Sequence, residues 1–259
     1  MNVQFPAYSV TFEPAALARC FLLADVFDAC FREPRTEYGL LGLAFADDPY
    51  RVVLCPLLPG QHVTNGSVHQ AGHDVALMRR EVESLSQQAG RKLVPIAFVH
   101  RHPAGCGMSD IDRTFLESVF VEQVSTVVTH RATRLLKPSD LACDCLLRSH
   151  KGLDSRSDDK LVAAEIEYSV AFSLIVNRKR EHSIHTVEKR WCPVCDRAQV
   201  SQVPAVLVRS TKRPLTRHER LRMLFELEAE IRAKVIHEEG QHVTSTRHAS
   251  VHLAAGPHC

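Results

Sequence analysis

The sequence predicts an α/β or α+β fold, a sandwich of helices on a sheet. Two observations carry this. Strand-like apolar runs and segments of helical period are interleaved along the chain, and their order is helix, hairpin, helix, strand, helix, strands. That alternation is too irregular for a doubly wound parallel sheet, which repeats one strand and one helix in turn.

Taken in order, Pro14 to Phe31 is apolar on most sides, and Asp25, Asp28 and Arg32 leave one polar stripe. This predicts a largely buried helix with proline in its first turn, where the missing N–H costs nothing. Gly39 to Phe45 reads as a buried strand, Asp47-Asp48-Pro49 as its turn, and Arg51 to Leu58 as the returning strand. Gln61 to His73 is mostly polar and reads as a loop, with His62, His69 and His73 as surface residues because no short spacing links them. Val75, Met78, Val82, Leu85 and Ala89 follow the i, i+3, i+4 rule, an amphipathic helix that Gly90 closes.

Val94 to Val99 is an apolar strand, and Ile111, Phe115 and Val119 then repeat at helical spacing. Val124 to Thr129 and Leu141 to Leu147 read as further strands, and Lys151 to Lys160 as a polar loop. Tyr168 to Val176 and Ser183 to Arg190 form a late hairpin turning at Asn177 to Glu181. Thr216 to Ile236 is helical, with Leu221, Leu224, Phe225, Ile231 and Val235 on one face.

The chain has 259 residues, room for one large core or a domain with an extension. Its 45% hydrophobic and 24% charged content is that of an ordinary globular protein. A net charge of +2 gives no argument for nucleic acid or an anionic membrane. No apolar run approaches the roughly 20 residues that span a bilayer. MNVQFPAYSV lacks the basic-then-apolar order of a signal peptide, so the expected location is the cytoplasm. There most of the nine cysteines should be buried thiols, with a few left to bind metal.

The chemistry concentrates between Val94 and Asp112. The strand ends in His100-Arg101-His102-Pro103, and residues two apart in a strand face the same side, so both imidazoles can converge on one ion. A glycine-containing loop leads to Ser109-Asp110-Ile111-Asp112 at the start of a helix. Two imidazoles and a carboxylate suit Zn²⁺, with a fourth position open for water. Ser109-x-x-Asp112 alone would be a capping box, and two histidines alone a hydrogen-bonded strand end. The order of strand, H-x-H-P, glycine loop, S-x-x-D and helix favours the metal.

These residues resemble the signature of the JAMM (JAB/MPN) zinc metalloproteases, an upstream glutamate followed by H-x-H-x7-S-x-x-D. Six residues rather than seven separate His102 from Ser109 here. The resemblance implies zinc on His100, His102 and Asp112, with Ser109 helping to hold the oxyanion. It implies Glu37, just ahead of the glycine-containing strand, as the general base, with Gly39 two residues on where the family has three; Glu33 is the alternative. It also implies the MPN fold, a curved mixed sheet between helices similar to the cytidine deaminase architecture. This domain would occupy residues 1–180, followed by an extension over 181–238 and a disordered tail over 239–259.

The family's chemistry is removal of a ubiquitin-like protein from a lysine or trimming of its precursor. The chain is similar to bacterial JAB peptidases encoded beside ubiquitin-like, E1-like and E2-like proteins, including Bil antiphage operons. Those proteins are its expected partners. Three other functions stay open: a deaminase-like zinc hydrolase, disfavoured because no H-x-E and P-C-x-x-C pair is present; a non-catalytic MPN scaffold, disfavoured by the full ligand set; and a RadC-like protein. Metal analysis separates the scaffold from the enzymes, and cleavage of a ubiquitin-like fusion separates the enzymes from one another.

Trp191-Cys192-Pro193-Val194-Cys195 has the form of a zinc knuckle. Cys143 and Cys145, two apart on an expected strand, could complete a four-thiolate site for a second, structural zinc, with His182 and His185 as alternative ligands. Two buried thiols beside Trp191 explain the same residues. A thioredoxin-like redox role is disfavoured, because no helix begins at Cys195.

Overall fold

Pro14–Phe31 (α1) is apolar nearly all round, so it must be covered, and the sheet covers it. The computed structural model describes residues 7–31, 37–64, 67–70, 75–102, 104–124, 129–137, 141, 143, 145, 162–192, 194–195 and 197–237. The expected loop at Lys151 to Lys160, the tail over 239–259, Glu33 and Pro103 lie outside them.

The strands are β1 (Tyr8–Phe12), β2 (Gly39–Phe45), β3 (Asp48–Leu54), β4 (Gln61–Thr64), β5 (Ser67–Gln70), β6 (Leu93–His102), β7 (His130–Leu136), β8 (Val162–Asn177), β9 (His182–Trp191), β10 (Ala198–Val203), β11 (Ala205–Arg209) and β12 (Val235–His237). A nine-stranded sheet runs β10-β9-β8-β6-β2-β3-β1-β11, with β7 also on β8. It is mixed: β6 with β8, β1 with β3 and β1 with β11 are parallel, and the other pairs are antiparallel. A small sheet, β12-β4-β5, stands apart from it.

Among the described residues the helices besides α1 include α2 (Val75–Ala89), α3 (Asp110–Thr114) and α4 (Arg217–Lys234). A π-helical segment, Phe115–Val124, continues α3. Cys20, Leu23 and Phe27 of α1 and Leu227 and Ile231 of α4 share one core with Val94, Val99, Phe172 and Leu174 of the sheet. Met78 of α2 and Leu116, Phe120 and Val121 of the π-helical segment share a second core with Leu41, Phe98 and Ala171. The result is a mixed sheet with helices on each face, as the element order predicts.

Alternation along β6 sorts its residues between these faces. Phe98 belongs to the second core and Val99 to the first. His100 and His102 therefore emerge on the π-helical side, and Arg101 turns toward α1.

Several elements differ from expectation. Gln61 to His73 is not simply a loop, since β4 and β5 form a hairpin there; short polar strands carry no apolar alternation to betray them. Of the strand expected over Val124 to Thr129, Val124 ends the π-helical segment, Thr129 precedes β7 and residues 125–128 lie outside the described residues. Leu141, Cys143 and Cys145 are not in a strand. The returning strand stops at Leu54 rather than Leu58, and the last helix at Lys234, where β12 takes over. The late hairpin is present and longer than predicted, pairing from Glu167 with Trp191 to Val176 with His182. Beyond residue 180 the chain adds β9, β10 and β11 to the same sheet. Among the described residues no helix is long and apolar enough to cross a membrane.

Candidate metal centre

Three side chains from two elements meet at the open end of β6. His100 Nε2 lies 3.1 Å from His102 Nε2, His102 Nε2 lies 3.1 Å from Asp112 Oδ2, and His100 Nε2 lies 3.3 Å from Asp112 Oδ1. One ligand atom from each falls within 4.8 Å of the other two, a group that could hold a metal ion.

Local sequence explains each position. His100 and His102 share a face of β6, and the Phe98 ring stacks on His100 with centroids 5.0 Å apart. Asp112 is brought in by the helix start. Ser109 is the N-cap of α3, and its Oγ accepts from the Asp112 N–H at 3.1 Å. Asp112 Oδ2 accepts in return from Ser109 N–H at 2.9 Å and Ser109 Oγ–H at 2.6 Å. Asp112 thus belongs to both the capping box and the candidate ligand set.

The charges follow from these contacts. Burial pushes the Asp112 carboxyl upward, but hydrogen bonds from His100, His102 and Ser109 outweigh it and hold it well below the usual carboxylate range. Burial lowers His100, whereas the hydrogen bond to Asp112 raises His102. A neutral imidazole is the form that ligates. His100 Nδ1 is buried without a hydrogen-bond partner, so Nε2 is the nitrogen turned toward the other ligands.

Glu37 joins them by strand register. Gly39 pairs with His100 across β2 and β6, and Arg101 N–H donates to Tyr38 O at 3.1 Å, which sets Glu37 opposite His102. Tyr38 is fully buried and its hydroxyl donates to Cys20 O in α1 at 2.8 Å, so its neighbours Glu37 and Gly39 face the other way, toward the histidines. Burial raises Glu37 to about 7; His102 opposes the rise and Asp112 adds to it. A carboxyl so placed exchanges its proton near neutrality.

Close approach of β2 to β6 requires the glycines. A Cβ on Gly39 would meet Leu58 Cδ1 at 2.8 Å and the Phe98 ring at 3.1 Å. On Gly42 it would meet Ala97 Cβ at 2.7 Å.

Three supporting groups carry no motif. Gln61 is fully buried; its Oε1 accepts from Gly39 N–H at 2.8 Å, and its Nε2 donates to Leu58 O at 3.2 Å and Gly39 O at 3.3 Å. Arg101, also fully buried, donates to Asp28 in α1. Ser183 on β9 donates to Cys106 O in the loop before Ser109, and His185 Nε2 lies 3.0 Å from Ser183 Oγ. Only Asp28 and Arg101 had a signal, a polar stripe on an apolar helix and an arginine inside an apolar strand.

The four cysteines form a second group elsewhere, with one sulfur from each of Cys143, Cys145, Cys192 and Cys195 within 4.8 Å of the others. His182 and His185 are not in it: the His182 ring packs on Phe21, and His185 stands beside the Cys106 loop. Comparison of the chain with protein families and with curated proteins found no match.

Proposed function

We propose that the chain is a zinc-dependent isopeptidase or peptidase of the JAMM (JAB/MPN) type, acting on a ubiquitin-like protein at its C-terminal linkage. One observation carries the reading: β2 sets Glu37 opposite His102, beside the His100, His102 and Asp112 group. A general base and a ligand set distant in sequence thereby share one side of one sheet.

The donor set fits zinc. At Zn–N distances of 2.0–2.1 Å the edges of a tetrahedron are about 3.3 Å, and the 3.1 Å from His102 Nε2 to His100 Nε2 and the 3.1 Å from His102 Nε2 to Asp112 Oδ2 are of that size. Three protein ligands leave the fourth corner for water or substrate, the arrangement of a catalytic site. When bound, zinc supplies a water acidified to a pKa of roughly 7 and a polarised carbonyl.

The chain's own groups do the rest. Glu37 takes a proton from the attacking water at its carboxylate and returns it to the leaving amine as the C–N bond breaks. Ser109 holds Asp112 in place through its hydroxyl, and for that hydroxyl to donate to the developing oxyanion it must release Asp112 Oδ2. Arg101 ties the end of β6 to α1, and Gln61 ties the start of β2 to the chain at Leu58, both behind the site.

The substrate class and the partners, a ubiquitin-like protein with E1-like and E2-like enzymes of a bacterial conjugation system serving antiphage defence, rest on the motif. The test is cleavage of ubiquitin-like proteins fused through their C-terminus to a fluorescent protein. Zinc-loaded wild-type chain should release the fluorescent protein, and His102→Ala should not. Zinc-replete protein that cleaves no such fusion or lysine conjugate would overturn the assignment.

A further inference from the structure

Cys143 and Cys145 lie between β7 and β8, and Cys192 and Cys195 follow the end of β9. All four are free thiols; Cys143 and Cys192 are buried, Cys145 is half-buried and Cys195 exposed. Their sulfurs sit within 4.8 Å of one another, and Cys143 Sγ is 3.2 Å from Cys195 Sγ, well beyond a disulfide bond. Four thiols gathered this closely, one of them exposed, are not the usual packing of buried cysteines, which behave as small hydrophobes.

The backbone is arranged for sulfur as an acceptor. Cys145 N–H donates to Cys143 Sγ and Val194 N–H to Cys192 Sγ, each at 3.4 Å. Both bonds run from the residue two positions on, and the second lies within the turn of the C-x-x-C. Cys192 N–H also donates to Arg197 O at 2.9 Å, which closes that turn. Amide dipoles aimed at sulfur favour the thiolate, the form that ligates.

From these contacts we infer that Cys143, Cys145, Cys192 and Cys195 hold a single zinc ion, a structural site that clips the connection after β7 to the end of β9. Size decides in favour of one ion. Zn–S bonds of about 2.3 Å make a tetrahedron with edges near 3.8 Å, and four sulfurs within 4.8 Å of one another, two of them 3.2 Å apart, leave room for one such ion and not for two. With four protein ligands no position is left for water, so the site holds structure and does no chemistry.

It is also far from the first group. His100 pairs with Ile175 on β8, whereas Trp191, next to Cys192, pairs with Glu167. From Ile175 to Glu167 the strand runs about 26 Å at ~3.3 Å per residue. The two ions would therefore load and be lost independently.

The experiment is zinc counting on the full chain, purified in reductant without chelator. Wild type should carry two equivalents. The double variant His102→Ala, Asp112→Ala should keep one, and after exchange with Co²⁺ it should show the intense near-ultraviolet thiolate-to-cobalt bands of a sulfur site. Cys192→Ser should lose one equivalent and melt at lower temperature. In case these variants fail to fold, titration of wild type with a mercurial reagent should release one equivalent of zinc as the cluster thiols react. One equivalent in wild type, all of it released by the mercurial, supports this site and counts against the histidine site. No zinc released by the mercurial, iron in place of zinc, or a disulfide between Cys143 and Cys195 in reductant would each overturn the inference.

Discussion

Arg101 donates to both carboxylate oxygens of Asp28, at 2.8 and 3.2 Å, from the position between the two histidines of the candidate metal centre. The pair fastens the end of β6 to α1 while His100 and His102 face the opposite side. Arg101 is fully buried and Asp28 one-fifth exposed, so Asp28→Ala leaves a buried cation short of its counter-ion. The expected cost is about 3 kcal/mol, read as a lower urea midpoint with unchanged slope. A midpoint equal to wild type would mean that the pair does not hold β6.

Gln61 tests the support on the other strand. Gln61→Leu has a similar volume but leaves Gly39 N–H and two buried carbonyls without their side-chain partner. A loss of about 2 kcal/mol is expected. Zinc should be retained, because the ligands sit on β6 and α3, while turnover falls as Glu37 loses its fixed position. Elemental analysis and initial rates on one preparation separate the two effects.

Ser109 has a stability role apart from any catalytic one. Ser109→Ala removes the N-cap of α3 and one donor to Asp112, at an expected cost of about 1 kcal/mol. Ser109→Asp restores a cap acceptor but puts a second carboxylate beside Asp112. It should recover part of the melting temperature and none of the activity.

The pH dependence follows from Glu37. Burial raises it to about 7, its working form is the carboxylate, and the fraction of that form grows as pH rises. A neighbouring cation pulls the value down. The acid limb of kcat/KM should therefore fall between about pH 5 and 7, with activity lost as pH drops through it. A profile flat from pH 5 to 8 would remove Glu37 from the rate equation.

Periodicity made the main elements legible. Pro14–Phe31, Val75–Ala89 and the β8–β9 hairpin are long and strongly patterned, and they stand where the sequence places them. Tyr8–Phe12 and Ala205–Arg209 are short and pair with each other across most of the chain, and Gln61–Thr64 is short and polar, so local pattern says little of them. That His100, His102 and Asp112 come together was legible because strand alternation and a helix cap are local rules. Gln61 was not, because its role comes from the register of β2, which no spacing in the sequence records. Cys143 and Cys145 share one sulfur group with Cys192 and Cys195, but not by way of a strand.

The central claim is that Glu37 is the base for a metal held by His100, His102 and Asp112. Glu37→Gln keeps the size of the side chain and its hydrogen-bonding reach but cannot take up a proton. The most direct measurement is the turnover of a ubiquitin-like fusion by Glu37→Gln against wild type, each with its zinc content verified. The account predicts unchanged zinc and a rate lower by on the order of 10²–10⁴. Cleavage at the wild-type rate with zinc in place would contradict it.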